Sequence, residues 1–401
     1  MRIGMVGARF AGLDGVSLES AKLAEALIRG GHEIVWFAGE IGEGFNPSVV
    51  CDAAGFGTSE NIEIGRQAFG GGDPVAVRAM IEDVAREIQR AFDTFIDEYD
   101  IETVIVENAW AIPMQLPLAL AAARVIADRG IPAVGHHHDF SWERARFAKS
   151  SVPDLIESLF PPALPSVAHV VINSLAKRDL LDRRGLDSSV LPNVMDFETG
   201  PPHGDGGDAF RRIAGIGPGD TVLLQPTRVI RRKGIEMTID LASAMDGNPV
   251  VVVTHPDDLD DAYWAELSVQ ADGLGVDLRI IDVGRELSAL TSAYEAADLV
   301  CFPSLYEGYG NALVEAVYHR RPVLVNRYSV YVSDIAPLGF DFVEIDEEIS
   351  SDAVARANRI VSREANSDDA SEHNFTIGEA ALSYSSALGV VERSFSTIKG
   401  L

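Results

Sequence analysis

"TVLLQPTRVIRRKG", residues 221–234, decides how this chain is organised. An apolar run passes through a turn carrying Arg228, Arg231, Arg232 and Lys233, and reaches Gly234 where a helix begins. It is the start of a second βα series. Residues 198–219, "ETGPPHGDGGDAFRRIAGIGPG", stand just before it and are rich in Gly, Pro and Asp, which reads as a linker. Downstream, "NPVVVVT", "VDLRIID", "DLVCFPS" and "RPVLVN" alternate with helical patterns near 259–273, near 286–297 and from 311. Upstream, "RIGMV", "HEIVWFA", "TVIVEN", "IPAVGHH" and "AHVVINS" alternate with helices in the same way. Asp73 and Pro74 mark one helix start, and Val77, Ile81, Val84, Ile88, Phe92, Phe95 and Tyr99 follow at helical spacing. Continuous apolar strands between amphipathic helices predict parallel sheets covered on both faces. The expected fold is α/β: a doubly wound domain over 1–197, the linker, and a second such domain over 220–380. Two sheets in tandem predict a cleft, with ligands at the carboxyl ends of the strands.

Composition bounds the function classes. At 401 residues, 47% hydrophobic and 23% charged, the chain is an ordinary globular one of two-domain length. The start "MRIGMVGARF" enters a strand rather than a leader peptide, and no apolar stretch is long enough to span a bilayer. Cys51 and Cys301 sit in apolar surroundings and read as buried thiols of a soluble, cytoplasmic protein. The net charge is −28, and five of the 33 basic residues are lysines. Such a surface repels nucleic acid and anionic headgroups, so neither is an expected partner.

Four strand-to-helix turns carry the chemistry. "GARFAGLDGVS" after the first strand offers Gly12 and Gly15, which admit close approach of a ligand to a helix N-terminus. "GHHHDFSWERARF", residues 135–147, ends a buried strand, and alternation keeps its three histidines from facing one way. It reads as a surface run, as a metal site lacking further local ligands, or as one or two histidines presented with Arg144 or Arg146. In "PTRVIRRKG", Arg228 and Lys233 bracket a helix N-terminus, an arrangement suited to a diphosphate. In "FPSLYEGYGNALVEA", residues 302–316, Glu307 precedes a helix beginning near Asn311, and Glu315 lies one turn inside it on the face Asn311 occupies. The amides of Gly308, Tyr309 and Gly310 lie between the two acids. The acidic run at 257–261 reads as a solvated loop and helix start, not a metal-binding pair.

Together these residues resemble the retaining nucleotide-sugar glycosyltransferases of the GT-B fold, specifically glycosyltransferase family 4, over essentially the whole chain. "EGYGNALVE", Glu307 to Glu315, resembles the E-x7-E motif, and Arg228 with Lys233 resembles the family's basic turn. "LPNVMD" resembles the usual "PNGVD" with Val194 in place of Gly, and Thr227 replaces the usual Gly before the arginine. The paired glycines of the first loop are spread as Gly12 and Gly15. "FTIGEAALSYSSALGVV" resembles a closing helix, over 381–401, that crosses back to the first domain.

The resemblance implies roles. Arg228 and Lys233 would hold the donor diphosphate, Glu315 the ribose, and Glu307 with the amides of Gly308, Tyr309 and Gly310 the transferred sugar. Asn311 and Gly15 would also meet the donor. His138, or His137 second, would stand by the anomeric end. The implied reaction moves a hexose, with retention, from a GDP-mannose- or UDP-glucose-type donor, without a metal or other cofactor. Arg9, His137 and Arg144 are the expected acceptor contacts, for a small soluble glycoside or glycerate-type compatible-solute precursor. A sugar-nucleotide epimerase and a non-catalytic sugar-nucleotide sensor are the alternatives.

Overall fold

The computed structural model describes residues 1–401 except 13, 203, 257–258, 284–286, 363–366 and 400–401. Two compact units divide the chain, Met1–Val194 with Tyr384–Leu401, and Met195–Ser383.

The first unit holds a parallel sheet of seven strands: β1 (Arg2–Phe10), β2 (Glu33–Ile41), β3 (Ser48–Val50), β4 (Thr103–Glu107), β5 (Ala133–His137), β6 (Val167–Val171) and β7 (Ser188–Val190). Their spatial order is β3-β2-β1-β4-β5-β6-β7, so the winding reverses between β1 and β4. Helices cover both faces because the strands are apolar on both sides. On one face Phe37, Phe92 and Phe95 pack with ring centroids 5.3–6.0 Å apart. Phe92 and Phe95 come from the helix Pro74–Glu98, whose start is capped as its sequence predicts, Asp73 accepting from the Ala76 amide. On the other face the helix Gly15–Arg29 buries Leu23 and Leu27. Beside it lies Tyr384–Lys399, burying Ala387, Val391 and Phe395.

The second unit holds six parallel strands: β8 (Thr221–Arg228), β9 (Pro249–His255), β10 (Asp277–Ile280), β11 (Leu299–Phe302), β12 (Val323–Asn326) and β13 (Val343–Ile345). The order is β10-β9-β8-β11-β12-β13, reversing between β8 and β11. Val250 to Val253 of β9 are all buried, as an interior strand of a covered parallel sheet requires.

One reading of the sequence needs correction. The stretch 198–219 is not a bare linker: it contains the helix Gly206–Ile213, which belongs to the second unit and buries Phe210. Gly206 and Gly207 serve close packing there. A Cβ on Gly207 would stand 2.9 Å from the Glu295 carbonyl carbon, and its amide donates to Glu295 Oε2 at 3.1 Å. Arg211 fixes the helix further, donating to Asp298 Oδ2 at 2.6 Å and to the Ala296 carbonyl at 3.0 Å. The stretch 375–391 joins the end of the helix Ser367–Ala381 to the start of Tyr384–Lys399, with a break at Leu382 and Ser383. Only the second of these belongs to the first unit.

Cys51 and Cys301 are free and buried. Among the described residues no helix is long and apolar enough to cross a membrane. Of the acidic run, Asp257 and Asp258 lie outside the described residues. Asp260 caps the helix Asp261–Leu274, accepting from the Tyr263 amide at 3.0 Å.

Candidate active site

In doubly wound sheets the crevice for ligands opens where the winding reverses, at the carboxyl ends of the strands. Each unit carries its candidate residues at that place.

In the second unit, the turn after β8 is pressed against the segment after β11. Gly234 adopts a left-handed φ of 62°, and a Cβ there would come 2.5 Å from the Pro303 carbonyl oxygen. Glycine is therefore required both by the backbone angle and by the space. The turn is clamped from below: Gln225 Nε2 donates to the Lys233 carbonyl at 2.8 Å, and Thr238 donates to Gln225 Oε1 at 2.6 Å. The Leu305 amide donates to the Arg232 carbonyl at 2.8 Å.

These contacts aim two cations at one acid. Lys233 Nζ ion-pairs with Glu307 Oε1, and Arg232 Nη1 donates to Glu307 Oε2 at 2.7 Å. The Lys233 and Glu307 side chains are about nine-tenths buried. Burial pushes the Lys233 ammonium below its ordinary range, with Arg232 and Arg228 adding to the effect and Glu307 opposing it. Burial alone would raise the Glu307 carboxyl, but Lys233 and Arg232 outweigh it and lower it. Arg228 stands exposed at the end of β8. The expected sugar-reading acid is thus engaged with cations, and Arg232, not singled out from the sequence, is one of them. Its signal was present in the quoted turn, but the partner lies 75 residues away.

The helix Asn311–Tyr318 starts where its sequence predicts. Asn311 and Glu315 are half-buried while residues 312–314 and 316–318 are buried, so the two share the open face. Gly310 is the N-cap and has no side chain to occupy the first-turn amides. The Tyr309 ring is buried and its carbonyl accepts from Tyr328 Oη at 2.5 Å, leaving Tyr309 a backbone role. Glu315 Oε2 accepts from Tyr294 Oη at 2.7 Å. Tyr294, buried on the helix Leu287–Ala296, is a bracing residue that the sequence did not reveal.

In the first unit, Arg9 at the end of β1 pairs with Asp14 at 3.0 Å. Asp14 caps the helix Gly15–Arg29, accepting from the Ser17 amide at 3.1 Å. A Cβ on Gly15 would meet no atom within 4 Å, so its surroundings within this unit are open. Leu13 of this loop lies outside the described residues.

The histidines split as alternation predicts. His136 Nδ1 donates to Glu107 at 3.0 Å, and His138 Nε2 approaches the same carboxylate at 3.3 Å. His137 points to the other face, buried, with Nε2 3.0 Å from His169 Nδ1 and its ring 5.3 Å from that of Phe140. Burial, with the neighbouring His169, His136 and His138, pushes it well below the ordinary imidazole range. It is a neutral interior group, and its placement as an acceptor contact is corrected on that ground. Arg144 ion-pairs with Asp139, which accepts from Asn108 Nδ2 at 3.1 Å, and Asn108 Oδ1 accepts from the His138 amide at 3.0 Å. Arg144 and His138 are thereby connected, and Arg9 stands in a separate turn. Glu107 was missed, although an acid closing the apolar run "TVIVEN" is itself a signal.

Residues 208–373 match the family described as Glycosyl transferases group 1. The mannosylglucosylglycerate synthase of Thermotoga maritima is 31% identical over 419 residues, covering 96% of this chain and 97% of that protein. The mannosylglucosylglycerate synthase of Petrotoga mobilis is 31% identical, with 86% of each covered. Among solved structures, sucrose-phosphate synthase from Thermosynechococcus elongatus superposes with a TM-score of 0.69 at 13% identity, over 100% and 99% of the two chains. A glycosyltransferase from Rickettsia africae gives 0.71 at 13%, over 99% and 98%.

Proposed function

Since the chain belongs to the glycosyl transferases group 1, on the GT-B fold, we propose that it moves a hexose from a nucleoside diphosphate sugar to a hydroxyl of a small, soluble, glycerate-bearing glycoside. The carrying observation is the convergence of Lys233 and Arg232 on Glu307 at the β8/β11 reversal, with Arg228 at the strand end beside them. Cations set at a helix N-terminus suit a diphosphate, whose charge grows as the sugar leaves. Glu315, braced by Tyr294, meets the ribose, and Glu307 with the amides of Gly308 to Gly310 meets the transferred sugar. The acceptor class rests on the relatives' name, and it suits a first unit presenting His138, Arg144 and Arg9.

Retention follows if the departing phosphate oxygen takes the acceptor's proton on the face the acceptor attacks. Glu307 is a poor nucleophile for a double displacement, because two cations engage its carboxylate. The three cations replace a divalent ion on the diphosphate, so activity should persist in excess EDTA.

The test supplies GDP-mannose, UDP-glucose or ADP-glucose with glucosylglycerate. The expected product is heavier by one hexose, forms one-for-one with a nucleoside diphosphate, and keeps the donor's anomeric configuration by NMR. Tight donor binding without transfer or hydrolysis would instead mark a sensor. Tyr294→Phe should raise the donor KM several-fold with kcat little changed, since one buried hydrogen bond contributes about 1 kcal/mol. An unchanged KM would remove Glu315 from the donor site.

A further inference from the structure

Glu107 closes β4 with its side chain entirely buried, so no ligand can touch it. Its Oε2 meets His136 Nδ1 at 3.0 Å and His138 Nε2 at 3.3 Å, and those rings lie 4.4 Å apart. Among the described residues no lysine or arginine pairs with this carboxylate. His138, just beyond β5, keeps about an eighth of its side chain exposed. We propose that Glu107 is a positioning residue: it holds the Nε2 edge of His138 inward, so that His138 meets a ligand through Nδ1–H, as donor to an anionic oxygen rather than as a base. The identity of that anion, a phosphate of the donor or the carboxylate of the acceptor, rests on the reading above. The arrangement of Glu107 and His138 does not.

A buried carboxylate is costly unless a positive partner stands beside it. Here the partners are imidazoles, and a second proton on His138 supplies the positive charge. Burial works against a charged His138, but Glu107, then Glu19 from the helix Gly15–Arg29 and Asp139 from the following loop, outweigh it and raise its pKa. Glu19 is itself paired with Lys22 at 2.7 Å, and Asp139 with Arg144, so Glu107 acts at the shortest range. Burial would raise the Glu107 carboxyl, yet His136 and His138 bring it down to about 2. A divalent metal is the rival occupant, because one atom from each of Glu107, His136 and His138 falls within 4.8 Å of the others. Metal-bound histidines normally hand their second nitrogen to a carboxylate or carbonyl. Among the described residues His136 Nε2 is buried with no such partner, which counts against the metal.

Titration of the full chain labelled with 15N-histidine tests this, the His138 signals being those absent from His138→Asn. The wild type should carry protons on both His138 nitrogens and titrate above the ordinary value of 6.5. Glu107→Gln should lower that midpoint by roughly one pH unit or more, and Glu107→Asp should restore part of it. With GDP-mannose and glucosylglycerate as probes, kcat/KM should fall as pH rises through the midpoint, and at lower pH in Glu107→Gln. The proposal fails if the wild-type midpoint lies at or below 6.5, a result that needs no folded variant. It also fails if Glu107→Gln leaves the midpoint unmoved, if activity instead rises with pH through it, or if one equivalent of Zn2+ binds and displaces the His138 proton. The titration uses no substrate, so a failed transfer assay leaves it decisive.

Discussion

Lys233→Ala should lower kcat at least a hundredfold while the protein stays folded. The ammonium is delivered to its place by a clamped turn, with Gln225 on its carbonyl and Gly234 pressed on Pro303. Little reorganisation is then needed when charge develops on the leaving diphosphate, the condition under which one charged contact contributes most. Loss of such a contact costs about 2.7 to 4 kcal/mol in the transition state, roughly a hundredfold to a thousandfold in rate. The fold should survive, because Glu307 keeps Arg232 at 2.7 Å and the acid is not left alone. Steady-state kinetics and a thermal melt of the same preparation separate the two effects. Near-normal kcat in a folded variant would remove Lys233 from the reaction.

Glu307→Gln should convert the enzyme into one that fails as pH rises. Three influences press the Lys233 pKa down: burial, Arg232 and Arg228. Glu307 alone among the principal ones holds it up. An ammonium with a depressed pKa is charged below that pKa and neutral above it. Removing the counter-charge depresses it further, and a lysine buried without a partner can fall by roughly 3 to 5 units. The variant should keep some activity in mildly acidic buffer and lose the rest at a lower pH than the wild type does. The pH profile of kcat/KM and the pH dependence of nucleoside diphosphate binding by calorimetry should show the same displaced midpoint. A profile parallel to the wild type would mean that Glu307 acts on the sugar alone and not on Lys233.

Much of this was legible in the amino-acid order. The alternation of strands and helices, the Asp73–Pro74 start, the turn at 226–234 and the pair Glu307 and Glu315 all arise from local chemistry, and each stands where it was read. What escaped depends on which strands lie side by side. Arg232 and Glu307 meet because β8 neighbours β11, and Glu107 meets His138 because β4 neighbours β5. Sequence distance carries no trace of either adjacency. Tyr294 was invisible for the same reason, reaching Glu315 from a different helix. The misread linker has another cause: glycines that admit a tightly packed helix look, in isolation, like glycines that loosen a chain. Composition alone does not separate the two uses.

The helix Tyr384–Lys399 has one more consequence. It supplies Ala387, Val391 and Phe395 to the interior that Leu23 and Leu27 share near the other end of the chain. On a ribosome, residues 1–194 emerge first, but part of one apolar side of their sheet, the part beside the helix Gly15–Arg29, stays uncovered until nearly two hundred further residues have been translated. The early part of the nascent polypeptide must therefore wait, sticky on one side, for its last layer. Such intermediates invite chaperones and aggregation alike. Expression yield should thus be limited by the time needed to finish the chain, and slow translation of the second half is the hazard.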